Sequence, residues 1–191
     1  MGDVQNYEQT FEKLNDINYT AATLSILETL SRDPDKSLYT REVAERSGIS
    51  VGAASMILRV LEGSHMIDVD EKGGMKFYRI NLLNPVAREF KVLFNVQRIS
   101  HLVEPLKDYS DRIILFGSCA DGTDGPESDV DLLVLTSEPQ AAKDLFRLFQ
   151  KKIDRHLSPI IVGAEGLARL RRDDKALFEQ VYRGKTLWEK Q

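Results

Sequence analysis

The pattern that most restricts how this chain can fold is a pair of apolar runs separated by a polar loop. The first, Arg112 to Phe116, ends at Gly117-Ser118; the second, Leu132 to Leu135, is entered through Ser128-Asp129-Val130-Asp131. Short runs rich in branched and aromatic residues read as buried strands. Gly117 permits a close approach of backbone to ligand, and Ser118 adds a hydroxyl and an adjacent amide able to donate to a terminal phosphate. The loop from Ser118 to Ser128 holds Gly122, Gly125 and Pro126, so it is expected to be structured and not a continued strand. On the second run a period of two puts Asp129 and Asp131 on one face, with Val130, Leu132 and Val134 on the other. Two carboxylates this close repel each other and are costly beside an apolar core unless a cation neutralises them. Such oxygen donors suit Mg2+, which keeps several waters and bridges carboxylates to substrate phosphates. The expectation is a metal site at Asp129 and Asp131, with a nucleoside triphosphate, ATP by preference, held at Gly117 and Ser118.

The rest of the chain is consistent with a soluble protein built on more than one element of this kind. Its 191 residues suffice for one ordinary domain or two small ones. The formal net charge is -4, so any binding of nucleic acid has to be argued from local surfaces. The single cysteine, Cys119, rules out an intrachain disulfide framework and, lacking a nearby cation, reads as a plain thiol. No run is long and apolar enough to cross a bilayer, and Met1 to Glu8 lack a basic segment before an apolar one, so a cytoplasmic location without membrane contact is expected.

Toward the amino terminus, Ala22, Ile26, Leu27 and Leu30 recur at helical spacing until Asp33-Pro34-Asp35 stops the pattern. Thr40 is expected to cap a second helix ended by Ser47-Gly48, and Ser50 a third that contains Ala54, Ile57, Leu58 and Leu61. The segment from Met66 to Asp70, the turn Glu71-Lys72-Gly73-Gly74 and the return from Met75 to Ile80 predict a hairpin. Helices followed by that hairpin resemble the winged-helix domains of prokaryotic transcription regulators over Asn18 to Asn81. The resemblance implies a third helix in the major groove of double-stranded DNA, where Ser50 and Ser55 offer short side chains and Arg59 a longer one. Arg41, Arg46, Lys72, Lys76 and Arg79 are the candidate phosphate contacts. Glu42, Glu45, Glu62, Asp68, Asp70 and Glu71 oppose them, which keeps a protein-contact or dimerisation role for this domain in play.

Pro85 fits the first turn of a long helix whose apolar face runs through Phe90, Leu93, Phe94, Val96, Ile99, Leu102, Val103 and Leu106, with Pro105 bending or ending it near Lys107. That face predicts packing on both halves or a homodimer. The domains are therefore placed at 1–83, 84–110 and 111–191, in an α+β fold: a winged helix-turn-helix, a connecting helix, then a mixed sheet with helices.

Gly117-Ser118 followed by Asp129-Val130-Asp131 at the head of an apolar strand resembles the signature of the DNA polymerase beta-type nucleotidyltransferase superfamily, especially its small, minimal prokaryotic members. The tail from Asp174 to Leu187 shares the likeness, which spans roughly Asp111 to Glu189. The resemblance implies a mixed sheet with helices against it, and a third carboxylate on a later strand that binds a second metal and activates the acceptor hydroxyl. Helix residues Ala142, Leu145, Phe146, Leu148, Phe149 and Ile153 lead to that strand here, Leu157-Ser158-Pro159-Ile160-Ile161-Val162, and it contains no acid. Asp154 and Glu165 lie outside it, and His156 reads as a helix-end residue. Cys119 and Asp121 stand where many relatives look basic, and Asp121, Asp124 and Glu127 are expected to repel an unmasked triphosphate. Further on, Arg169, Arg171, Arg172 and Lys175 read as a solvated face, and Leu187 and Trp188 as the edge of the core.

Three functions follow from these residues. The first is a DNA-binding transcriptional regulator carrying a nucleotide-binding domain. The second is an active magnesium-dependent nucleotidyltransferase acting on a small molecule, nucleic acid or protein hydroxyl. The third is a degenerate interaction module. Relatives of the minimal type are often paired with a helical partner protein, so such a partner is a further expectation of the resemblance.

Overall fold

The structure, a computed structural model, describes residues 13, 14 and 17–191. Its contacts divide the chain into two compact units, meeting between Lys91 and Val92.

In the first unit, helix α1 (Ala21–Ser31) buries Ile26, Leu27 and Leu30 and is capped by the Thr20 hydroxyl, which accepts from the amide of Thr23 at 3.2 Å. Strand β1 (Leu38–Tyr39) was not evident in the sequence, because two residues carry no periodicity; it pairs antiparallel with β3. Helix α2 (Thr40–Ser47) begins at Thr40 and does not use it as the cap. The capping position belongs to Tyr39, whose amide donates to Glu42 Oε2 at 3.1 Å. Helix α3 (Val51–Gly63) is capped as expected, the Ser50 hydroxyl accepting from the amide of Ala53 at 3.2 Å. Strands β2 (Ile67–Lys72) and β3 (Met75–Ile80) form the hairpin, and Glu71 and Lys72 belong to the strand, leaving Gly73-Gly74 as the whole turn. Both glycines have positive φ, 60° and 76°, the backbone a two-residue turn matched to strand twist requires. Helices α1 to α3 with the sheet order β1-β3-β2 make the described part of this unit a winged helix-turn-helix.

Helix α4 (Pro85–Leu106) opens on Asn84, whose Oδ1 accepts from the amides of Val86 and Ala87, with Pro85 in the first turn, where its missing N–H costs nothing. Pro105 lies in the last turn, and a 3-10 turn (Lys107–Tyr109) follows. Leu93, expected on the buried face, is 51% exposed; its neighbour Val92 is buried instead, while Phe94 is buried as expected. The membership of this face was misjudged by one position because the helix is apolar on more than one side.

The second unit is a four-stranded mixed sheet of order β6-β5-β4-β7, made of β4 (Arg112–Phe116), β5 (Val130–Leu135), β6 (Leu157–Val162) and β7 (Lys185–Glu189). β5 runs parallel to β6, while β4 is antiparallel to both β5 and β7. Helix α5 (Ser118–Asp121) is a single turn after β4, α6 (Pro139–Gln150) is the crossover between β5 and β6, and α7 (Ala164–Asp173) and α8 (Lys175–Arg183) precede β7. One face of the sheet carries Ile113, Leu115, Val130, Leu132 and Val134, packed with Ile99, Leu102 and Leu106 of α4 and Phe146 of α6. The other carries Ile114, Phe116 and Leu133 under Val181, Leu167 and Leu177. Burying each such large side chain is worth about 1.5–3 kcal/mol, so the strands are fixed in register from both sides. Trp188 and Leu187 pack at the edge of the first face, as expected for apolar side chains at the rim of a core. No helix among the described residues is long and apolar enough to cross a membrane.

Candidate functional site

The candidate site lies where β4 ends beside the start of β5. Phe116 pairs across the ladder with Asp131, so the turn that follows β4 passes directly over that carboxylate. At this turn Gly117 has φ 68° and ψ -159°, a region essentially closed to side-chain-bearing residues. A Cβ built on Gly117 would meet Asp131 Oδ2 at 2.5 Å. The glycine thus lets backbone and carboxylate share one small space. Ser118, half-buried, opens the α5 turn immediately after it, where the first amides of a helix are left out of its own ladder.

Asp131 shares the sheet face of Leu133, while Val130, Leu132 and Val134 pack into the opposite core, as the alternation requires. Asp129 precedes the strand and is exposed, with its Oδ1 3.3 Å from His156 Nδ1. Burial pushes the Asp131 carboxyl above its ordinary value; a hydrogen bond from Ser158 opposes this, and the Asp129 charge adds to it. Ser158 is the residue of β6 in register with Asp131, so the neighbouring parallel strand presents a hydroxyl, and no acid, to this carboxylate. Among the described residues there is no group of three or more His, Cys, Asp or Glu side chains able to hold a metal. Two carboxylates of this kind fit one Mg2+ that keeps waters and takes phosphate oxygens; they do not make a closed protein cage.

The loop between α5 and β5 is held by residues the sequence did not single out. Arg155 donates from Nε and Nη2 to the carbonyl of Ser128, at 2.8 and 2.6 Å, and from Nη1 to Asp124 Oδ2 at 2.7 Å. Asn95 Nδ2 donates to Asp124 Oδ1 at 2.7 Å and to the carbonyl of Cys119 at 3.1 Å. With side chains only 9% and 2% exposed, Arg155 and Asp124 form a buried ion pair that fixes the approach to Asp129. This corrects the expectation that Asp124 faces a triphosphate: its charge is spent inside the loop, while Asp121 and Glu127 stay exposed. His156 is likewise not at a helix end, since α6 stops at Gln150; it directly precedes β6, and its carbonyl accepts from the amide of Val130 at 2.8 Å. Cys119 is buried and donates its thiol to the carbonyl of Asp129 at 3.3 Å, in keeping with a plain thiol. The only sequence signal for Arg155 was a lone guanidinium just ahead of an apolar strand, which by itself also describes a surface residue.

A family model described as a nucleotidyltransferase domain matches residues 99–182. The second unit carries a nucleotidyltransferase domain. Over 62 residues the chain is 44% identical to a Methanocaldococcus jannaschii protein named as a candidate protein adenylyltransferase, covering 29% of this chain and 63% of that relative's length. Two solved structures overlap the winged-helix part. One is the homodimeric winged helix-turn-helix DNA-binding domain of a Mycobacterium bovis protein described as a possible ArsR-family transcriptional regulator, with TM-score 0.39, 21% identity and coverage of 55% of this chain and 92% of that one. The other is Lactococcus lactis ZitR in complex with DNA, with TM-score 0.36, 22% identity and coverage of 50% and 66%. At these scores the overlaps add no weight to the fold, which rests on the elements themselves.

In the first unit, the sequence-predicted DNA contacts separate into two groups. Lys76 is held by Glu62 at 3.1 Å and Arg79 by Asp68 at 3.1 Å. Arg41, Arg46, Arg59 and Lys72 are exposed and make no ion pair among the described residues. Ser50 is engaged as the α3 cap, and Ser55 lies on the exposed side of that helix.

Proposed function

We propose that this protein is a DNA-binding transcriptional regulator whose nucleotidyltransferase domain binds a magnesium-complexed nucleoside triphosphate, ATP by preference, with little or no transfer activity. The observation that carries the nucleotide half is the Gly117–Asp131 contact: a backbone open only to glycine, set against a carboxylate already destabilised by burial and by Asp129. Asp129 and Asp131 would hold a divalent cation such as Mg2+, which would relieve their repulsion and neutralise phosphate charge. Gly117 leaves room for the phosphates, and Ser118 donates to them. Arg155 keeps the loop, and with it Asp129, in place. Ser158 beside Asp131 supports binding over catalysis, because a hydroxyl adds neither negative charge for a second ion nor a base for the acceptor. The DNA half is supported by the winged-helix topology and by Arg41, Arg46, Arg59 and Lys72, which make no ion pair among the described residues.

A second reading, transfer of an adenylyl group to a protein hydroxyl, is favoured by the similarity to the M. jannaschii protein. Incubating the full chain with labelled ATP and Mg2+ separates the two. Retained nucleotide without pyrophosphate release is the expected result. Sustained release that Asp131→Ala abolishes would establish the transferase, and failure to retain nucleotide would remove the site altogether.

A further inference from the structure

We infer that the outward face of α3 selects A·T-rich duplex DNA by packing apolar side chains against thymine methyl groups. The inference rests on the DNA-binding reading above and deepens it by naming the base chemistry.

Before its last residue, Gly63, the exposed residues along α3 are Val51, Gly52, Ser55, Met56, Arg59 and Val60, two adjacent rows at i, i+4 spacing on one side of the helix, while Ala54, Leu58 and Leu61 are fully buried on the other. Three of the six are large and apolar: Val51 is 50% exposed, Met56 68% and Val60 43%. A helix facing only water carries polar residues in such rows. The composition also limits what the face can read. Guanine is read by a bidentate Arg or Lys, adenine by Asn or Gln, cytosine by a carboxylate, and thymine by apolar contact with its C5 methyl. The first turns of a recognition helix make the base contacts, and there this helix presents Val51, Gly52, Ser55 and Met56. None of these supplies a bidentate head or a carboxylate; Arg59 comes only later along the helix. Thymine methyls are the one base feature that Val51 and Met56 recognise.

Of the cations, Arg59 lies in these rows itself, while Arg41 and Arg46 on α2 and Lys72 at the end of β2 add to the charge of the same unit without fixing a sequence. Arg41, Arg46, Arg59 and Lys72 are free of ion pairs among the described residues and complement phosphates, whereas exposed Glu45, Asp70 and Glu71 offset part of that attraction. With a reduced electrostatic anchor, the apolar contacts have to carry a larger share of the discrimination.

The test is fluorescence anisotropy of the full chain, at one fixed low salt concentration, with an A·T-rich duplex and the same duplex with dU in place of dT. The two differ only in the C5 methyl. The dT duplex is expected to bind more tightly by about fourfold for each methyl contacted, the equivalent of one buried methylene-sized group. Met56→Ser and Val51→Ser each bring the dT/dU ratio toward one, with melting curves confirming that these surface variants stay folded. Salt-dependent binding with equal dT and dU affinities overturns the inference and leaves the DNA-binding reading standing. Absence of binding to any duplex overturns both, and a dimer that Met56→Ser dissolves would then assign the face to a second copy of the chain.

Discussion

Replacing Gly117 by alanine is a sharp perturbation of the site, because its effects on stability and on binding separate. The backbone at Gly117 lies where a side chain costs about 1–3 kcal/mol, so the variant loses that much stability. The added Cβ also meets Asp131 Oδ2 at 2.5 Å, below the 3.0 Å that real Cβ contacts keep. The atom in the way is the free end of a side chain, so the cheapest response is for the carboxylate to swing aside and leave the fold intact. That movement takes Asp131 away from Ser158, its neighbour on β6, and displaces one of the two carboxylates proposed to hold the metal. Misplacing a group that holds a metal ligand typically weakens affinity by about 10–100-fold. Calorimetric titration with ATP and Mg2+, alongside urea denaturation, measures both effects. Gly125→Ala in the same loop is the control, since nothing lies within 4 Å of its added Cβ; it should bind as the parent does. If Gly117→Ala stays folded and binds magnesium nucleotide as tightly as the parent, the argument from that close contact is wrong.

Three further outcomes follow from the geometry. Arg155→Gln removes the cation from the buried Asp124 carboxylate and two bonds from Ser128, and is expected to cost about 3–5 kcal/mol of unfolding free energy, read from the urea midpoint; a loss near zero would show that the loop is held by other contacts. Because the folded-state pKa of Asp131 is raised, the folded chain holds its proton more tightly than the unfolded one, so this group's contribution is full below the ordinary Asp pKa of about 4 and is lost as pH rises through the folded value. In divalent-free buffer Asp131→Asn should therefore melt higher than the parent at neutral pH, with the gap closing on acidification; parallel profiles would contradict the assigned burial and repulsion. In the winged helix, Arg59→Ala should lower the salt slope of duplex binding by about 1, whereas Lys76→Ala should do less because Lys76 is already held by Glu62; the reverse order would misplace the DNA surface.

Much of this architecture was legible because it rests on local rules. The Gly73-Gly74 turn, the Ser50 cap, Pro85 at a helix start and the alternation from Val130 to Val134 each follow from backbone preferences or a two-residue period, and tertiary packing agrees with them. The placement of Gly117 and the two aspartates was legible for the same reason: they sit at strand ends, where register leaves few alternatives. What escaped the sequence depends on partners far along the chain. Asp124 and Arg155 look like any surface acid and base until the fold brings them together and excludes water. Ser158 was only one residue of an acid-free strand until the parallel register set it beside Asp131. The short strand β1, the capping role at Tyr39 and the exposure of Leu93 were missed because each is decided by what packs alongside, through a strand partner, a reaching Glu42 or the second apolar side of α4.

The most direct test of the central claim is calorimetric titration of the full chain with ATP in the presence and absence of Mg2+, repeated on Asp131→Ala. Association that requires the cation and disappears in the variant is the predicted result. Nucleotide binding that persists without Mg2+, or that is unchanged when Asp131 is removed, would contradict it.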